Sequence, residues 1–140
     1  MTGGRPTARA LLLVAAGGAL GSAGRYGLAR AFPVASTTFP TTTLLVNLVG
    51  AFGLGLLLEH LLRRGQADGW IRLVVGIGLL GAFTTFSTLT VEVAGLLRDG
   101  EAGLATAYVS ASVAGGLVAC VAGLMAGGWR RGPVPDEGES

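Results

Sequence analysis

Apolar residues along this chain come in four long runs, about 8–32, 42–62, 71–97 and 102–129. A helix needs about 20 apolar residues to cross the hydrocarbon core of a bilayer, so each run predicts one spanning helix. The links between them are short and polar: "PVASTTFP", "RRGQADG" and "RDGE". The pattern predicts an all-α integral membrane protein with a single four-span domain at 1–129. The tail at 130–140, "RRGPVPDEGES", has no core-forming residues and is expected to be a disordered polar segment. The N-terminus resembles a signal peptide, with Arg5 and Arg9 before an apolar run and small residues. The run continues past those small residues to Arg25 and Tyr26, which points to a retained helix.

Composition supports the membrane reading. Hydrophobic residues make up 51% of the chain and charged residues 13%, with a mean hydropathy of +0.65. Soluble domains average about 25% charged. Glycine supplies 25 of the 140 residues, which suits helices packed closely in lipid. Every basic residue is arginine, and these lie scattered at segment ends, which excludes a nucleic-acid patch. Seven arginines (Arg5, Arg9, Arg63, Arg64, Arg72, Arg130 and Arg131) fall on the side shared by both termini, against two (Arg30 and Arg98) on the other. That bias places both termini in the cytoplasm and the chain in the cell's inner (plasma) membrane. Trp70 and Trp129 fall on the arginine-rich side, as interfacial anchors do. The lone Cys120 excludes an internal disulfide and a cysteine metal site, and reads as a small buried hydrophobe.

Polar residues inside the spans carry the chemistry, because they are costly in hydrocarbon and usually face the bundle interior or a water-filled path. In the first span Gly17 and Gly21 stand four apart, and Arg25 reads either as a snorkelling side chain or as a cation paired with backbone carbonyls or a hydroxyl. In the second, Thr43 and Asn47 share a face. The third holds "GIGLLGAFTTFSTLTVEV", with five hydroxyls (Thr84, Thr85, Ser87, Thr88 and Thr90), Phe83, Phe86 and Glu92. A continuous helix satisfies such hydroxyls on its own carbonyls. The preceding Gly76, Gly78 and Gly81 instead predict a helix broken near its middle, between about Gly78 and Thr85. Freed carbonyls and hydroxyl oxygens are hard ligands for an alkali cation, and Thr85, Ser87 and Thr88 would steady the break. In the fourth span Tyr108 and Ser112 share a face. Amide N–H, hydroxyls and positive ring edges, with Glu92 the one acid well inside a span, favour a small anion that accepts hydrogen bonds. Four short helices offer little wall for a pore, so a two-fold dimer is expected.

Taken together, "GGALGSAGRY", "TLLVNLVGAFGLG", "GLLGAFTTFSTLTVEV" and the Tyr108/Ser112 pair resemble the CrcB/Fluc family of small fluoride channels over residues 10–128. The resemblance implies a non-enzymatic, dual-topology homodimer of antiparallel subunits that exports fluoride passively through the lipid bilayer. Asn47 would be the pore asparagine and Phe86 the first phenylalanine of an aromatic box. The second box position falls on Leu89, a departure from the family pattern for which Phe83 is a partial substitute. Gly81 and Thr84 would offer carbonyls to a structural sodium ion on the dimer axis. Tyr108 and Ser112 would form a hydroxyl track, with Thr43 and Glu92 as polar positions near the ion path and Arg25 as the first-span arginine. The arginine bias conflicts with antiparallel insertion.

Two other classes compete. A small proton-coupled multidrug exporter needs an accessible membrane carboxylate, for which Glu92 is the one candidate. A non-transporting membrane assembly protein accounts for the glycines but leaves the clustered hydroxyls without a role.

Overall fold

The computed structural model describes residues 7–35, 37–64 and 69–129, and among these the regular structure is entirely helical. Helix α1 spans Ala8–Ala31, α2 Thr41–Arg64, a π-helical stretch π1 Arg72–Leu80, a single turn α3 Gly81–Phe83, α4 Phe86–Arg98 and α5 Ala102–Trp129. Among the described residues, four stretches are long and apolar enough to cross a membrane: Ala8–Ala31, Thr41–Arg63, Arg72–Arg98 and Ala102–Gly128. The tail at 130–140 and Arg5 lie outside the described residues.

Local chemistry explains the ends. Thr7 caps α1 by accepting a hydrogen bond from the Ala10 amide at 3.3 Å. Pro33, following Phe32, has no amide hydrogen with which to continue the helix. Pro40 precedes α2, and its carbonyl accepts the Leu44 amide at 3.1 Å. Between α4 and α5 the chain turns at Gly100, whose φ of 83° lies in the left-handed region that glycine enters without a Cβ penalty.

Two helix pairs form the frame: α2 runs along α5, and α1 runs along π1. In both, glycine lets backbone meet backbone. A Cβ on Gly55 would overlap the Cys120 carbonyl, and one on Gly123 would overlap the Phe52 carbonyl. Across the other seam, a Cβ on Gly17 would overlap the Val74 carbonyl, and one on Gly78 would sit 2.7 Å from the Val14 carbonyl oxygen. Helices in lipid lack a hydrophobic drive toward one another and associate through such close van der Waals contact. This is where the glycines of the third span differ from the sequence-based expectation. Gly76, Gly78 and Gly81 all remain helical, with the Gly81 amide bonded to the carbonyls of Gly76 and Gly78. Gly78 serves the α1 contact.

A small buried cluster of Leu96, Ala105 and Tyr108 sits where α4 meets α5, packed by Phe39, Leu44, Leu89 and Val93. Elsewhere large apolar side chains face outward, among them Leu12, Leu20, Val91, Leu117 and Val118. In water such a surface would aggregate, whereas in a bilayer it is the solvent-facing surface.

The frame makes a prediction. Gly123→Val should lower thermal stability in detergent by about 1–3 kcal/mol, the usual cost of forcing extra methyl groups into a packed contact. Gly103→Ala, where a Cβ meets nothing within 4 Å, should be neutral or slightly stabilising. Equal melting shifts for the two variants would contradict this account of the seam.

Candidate functional site

Two threonines lie between α3 and α4. Thr84 has φ −72° and ψ 153°, and Thr85 has φ −146° and ψ 126°. Both are extended conformations that any residue adopts. The Thr84 amide still donates to the Leu80 carbonyl at 3.1 Å, and its hydroxyl donates to the same oxygen at 3.0 Å. The Thr85 peptide groups bond to a neighbouring helix instead. The Thr85 amide donates to Asn47 Oδ1 at 2.8 Å, and Asn47 Nδ2 donates to the Thr85 carbonyl at 3.0 Å. One carboxamide thereby satisfies both the donor and the acceptor of a residue outside the helix.

The same threonine starts α4. Its Oγ1 accepts the Thr88 amide at 3.1 Å, the standard bond of a helix N-cap. It also donates to Thr88 Oγ1 at 3.0 Å and lies 3.2 Å from Ser87 Oγ. On the other side of the chain, Arg25 Nε donates to the Ala82 carbonyl at 3.3 Å. Of the two readings of Arg25, pairing with a backbone carbonyl matches this contact.

One turn before Asn47 on α2, the buried Thr43 hydroxyl donates to Glu92 Oε1 at 2.7 Å. The hydroxyl of Tyr108, itself fully buried, donates to Glu92 Oε2 at 2.7 Å. Each carboxylate oxygen thus has its own hydroxyl donor. The Tyr108 ring meets Phe39 edge to face, with centroids 5.5 Å apart and planes at 75°.

Beside the threonines runs an open groove of about 450 Å³, lined in part by Asn47, Thr84, Thr85, Phe86, Leu89 and Ser112. Ser112 Oγ is buried and has no hydrogen-bond partner. Phe86 is 81% exposed on the subunit surface. Leu89 borders the groove and also packs on the Tyr108 cluster. Phe83 lies elsewhere: it packs near Gly24 and Gly50 and lines a separate apolar groove with Leu28 and Phe32. It therefore does not join Phe86 within the subunit, because α3 ends at Phe83 and the extended threonines redirect the chain. Tyr108 and Ser112 share a helix face but not an environment, one lying in the core and the other lining the groove. Phe39 was not singled out from the sequence, although an aromatic residue immediately before a proline in a polar link was a usable signal.

Asn47, Thr84, Thr85 and Ser112 are the polar side chains that border the groove, and among the described residues no carboxylate lines it. An asparagine Nδ2 carries two hydrogens, and one of them is committed to the Thr85 carbonyl. Among the described residues, no group of three or more His, Cys, Asp or Glu is gathered to hold a metal. Backbone oxygens are the remaining candidates for a cation. The amide that a continuous α-helix would direct to the Gly81 carbonyl, that of Thr85, is committed to Asn47. The Gly81 carbonyl therefore lacks the amide partner that a continuous α-helix would give it.

These features define a small multi-pass membrane protein with an open groove bordered in part by polar side chains. A family model described as "CrcB-like protein, Camphor Resistance (CrcB)" matches residues 12–124, and the chain belongs to that family. It is 46% identical over 115 residues to a fluoride-specific ion channel FluC of Chlorobaculum tepidum, covering 82% of this chain and 91% of that one. It is 48% identical over 118 residues to the FluC of Deinococcus radiodurans, covering 83% and 93% respectively. A fluoride-specific ion channel FluC 2 of Leifsonia xyli is 42% identical over 130 residues, or 89% of each chain.

The cap geometry predicts that Thr85→Val, which keeps the shape but removes the hydroxyl acceptor, will destabilise the protein by about 1 kcal/mol. Ser87→Ala should change stability by less, because the Ser87 hydroxyl caps no amide. Melting of both variants in the same detergent checks this ordering.

Proposed function

We propose that the protein is a fluoride-selective ion channel that lets fluoride leave the cell passively across the inner (plasma) membrane. The observation that carries the reading is the buried, unpartnered Ser112 hydroxyl in a groove that also holds Asn47 and Phe86. An unpaired hydroxyl in a low-dielectric interior is costly, and an anion that accepts its hydrogen removes that cost. The similar proteins from Chlorobaculum and Deinococcus are named for fluoride specificity, which agrees with a lining of N–H and O–H donors.

Fluoride is small and strongly hydrated, so it crosses only where donors replace its water. In this reading Asn47 keeps one N–H for the anion while the other holds the Thr85 carbonyl. Ser112 donates its hydroxyl, and Phe86 presents its positive ring edge. Beside this path, the Thr43 and Tyr108 hydroxyls both donate to Glu92, which ties α2, α4 and α5 into one polar cluster. With both its oxygens occupied, Glu92 is poorly placed for the proton and drug exchange of a multidrug exporter.

A lone subunit leaves Phe86 and one side of the groove open, which supports a homodimer, antiparallel as in the family pattern. In that assembly the extended threonines form the break in the third span. The Gly81 and Thr84 carbonyls would hold a structural sodium ion between subunits, supplying fixed positive charge near the anion path.

Protein reconstituted in liposomes should pass fluoride down its gradient and largely exclude chloride. Phe86→Ile should reduce fluoride flux by about tenfold or more, equivalent to roughly 1.4 kcal/mol of barrier, while the dimer persists. Leu89→Phe should still conduct. Comparable fluoride and chloride flux, or full flux in Phe86→Ile, would refute the reading.

A further inference from the structure

Phe39 lies in the link between α1 and α2, outside every membrane-spanning helix, yet its ring packs on the fully buried Tyr108. Its position is set by the chain around it. Phe39 precedes the buried Pro40, its carbonyl accepts the Thr41 amide at 2.8 Å, and α2 begins at Thr41. A residue before proline is restricted to extended conformations, so little freedom remains in this short stretch. Thr43 follows within the first turn of α2 and donates to Glu92 Oε1, while Tyr108 donates to Glu92 Oε2. One rigid segment, residues 39–43, therefore supplies a direct donor to the carboxylate and one wall for the ring that carries the other donor.

We propose that Phe39 is a positioning residue for the ion path: its ring fixes the tilt of the Tyr108 phenol, so that the hydroxyl stays aimed at Glu92. This rests on the channel reading for its functional consequence, but not for its structural content. A phenol can flip about its own axis without moving its oxygen. Only a tilt of the ring displaces the hydroxyl, and the Phe39 ring, packed nearly perpendicular to it, stands against that tilt. Leu96 and Ala105 complete the buried cluster with Tyr108, yet neither offers a ring face against which an aromatic edge can set an angle. Fluoride selectivity depends on where hydroxyl hydrogens sit when the anion arrives, so loosening the ring should act on conduction and on discrimination together.

The chain has two tyrosines, Tyr26 and Tyr108. In a Tyr26→Phe background, Tyr108 is the sole source of the tyrosine doublet in ultraviolet resonance Raman spectra, which reports the hydrogen bonding of the phenol. Phe39→Leu in that background, in liposomes, should shift the doublet away from that of a strong donor. It should also lower fluoride flux about two- to tenfold, the range that the energy of an aromatic pair converts to, and narrow the fluoride-to-chloride ratio. Phe39→Tyr, which keeps the ring, should restore flux and ratio; because it adds a tyrosine of its own, it is read by transport alone. An unchanged doublet in Phe39→Leu overturns the inference whether or not the protein conducts. A shifted doublet with unchanged flux and ratio overturns its functional half. If Phe39→Leu does not fold, Phe39→Met provides the same comparison. An unsubstituted protein that shows the doublet of a strong donor but carries no fluoride counts against the channel reading, and leaves the positioning of Tyr108 standing.

Discussion

No backbone amide or carbonyl can be left unpaired in hydrocarbon, where each orphan costs several kcal/mol. Thr84 and Thr85 leave the helix inside a stretch apolar enough to span a membrane, and the Asn47 carboxamide meets the constraint at Thr85 by bonding both its amide and its carbonyl. Much else follows from that clasp. With Thr85 held, its hydroxyl caps α4. With α4 started there, Phe86 points to the groove while Phe83, before the threonines, points elsewhere. About two turns further along α4, Glu92 comes opposite Thr43, one turn from Asn47 on the same helix. A single face of α2 thus anchors both polar clusters.

The clasp requires α2 and the third span to hold a fixed separation, and the glycine seams provide it. Where α2 meets α5, the contacts of Gly55 and Gly123 allow no side chain between the backbones. Where α1 meets π1, Gly17 and Gly78 do the same. Between α2 and the threonines themselves, a Cβ on Gly50 would overlap the Thr84 side chain, so a side chain there would press on the clasp directly, and hydrogen bonds weaken steeply with distance and angle.

The four helices were legible because hydropathy and length are local properties of the sequence. Asn47, Thr85 and Glu92 were legible as residues, since a polar group in an apolar run stands out. Their pairings were not, because the partner of Asn47 lies thirty-eight positions away and is set by tertiary packing. Glycine was the ambiguous signal. The same run of Gly76, Gly78 and Gly81 suits a helix break and a close helix contact, and only the position of α1 decides between them. The residues that leave the helix are threonines, whose extended conformation needs no glycine and whose hydroxyls supply the bonds that a departing backbone gives up. The resemblance offers Phe83 as a partial substitute for Leu89 beside Phe86, but the extended threonines between them turn Phe83 toward a separate groove, which residue spacing alone does not reveal. Phe39 was passed over because its partner Tyr108 lies on the last helix, far along the chain.

The central claim is that a peptide held outside the helix by Asn47 creates the path for a small anion. Fluoride flux through liposomes bearing Asn47→Leu, compared with the unsubstituted protein at equal reconstituted amount, tests it most directly. The leucine preserves the approximate volume of the asparagine while removing both of its hydrogen bonds to Thr85 and its N–H toward the groove. The account predicts flux reduced to that of protein-free vesicles. Flux equal to that of the unsubstituted protein, from a variant that still purifies as a folded species, would contradict it.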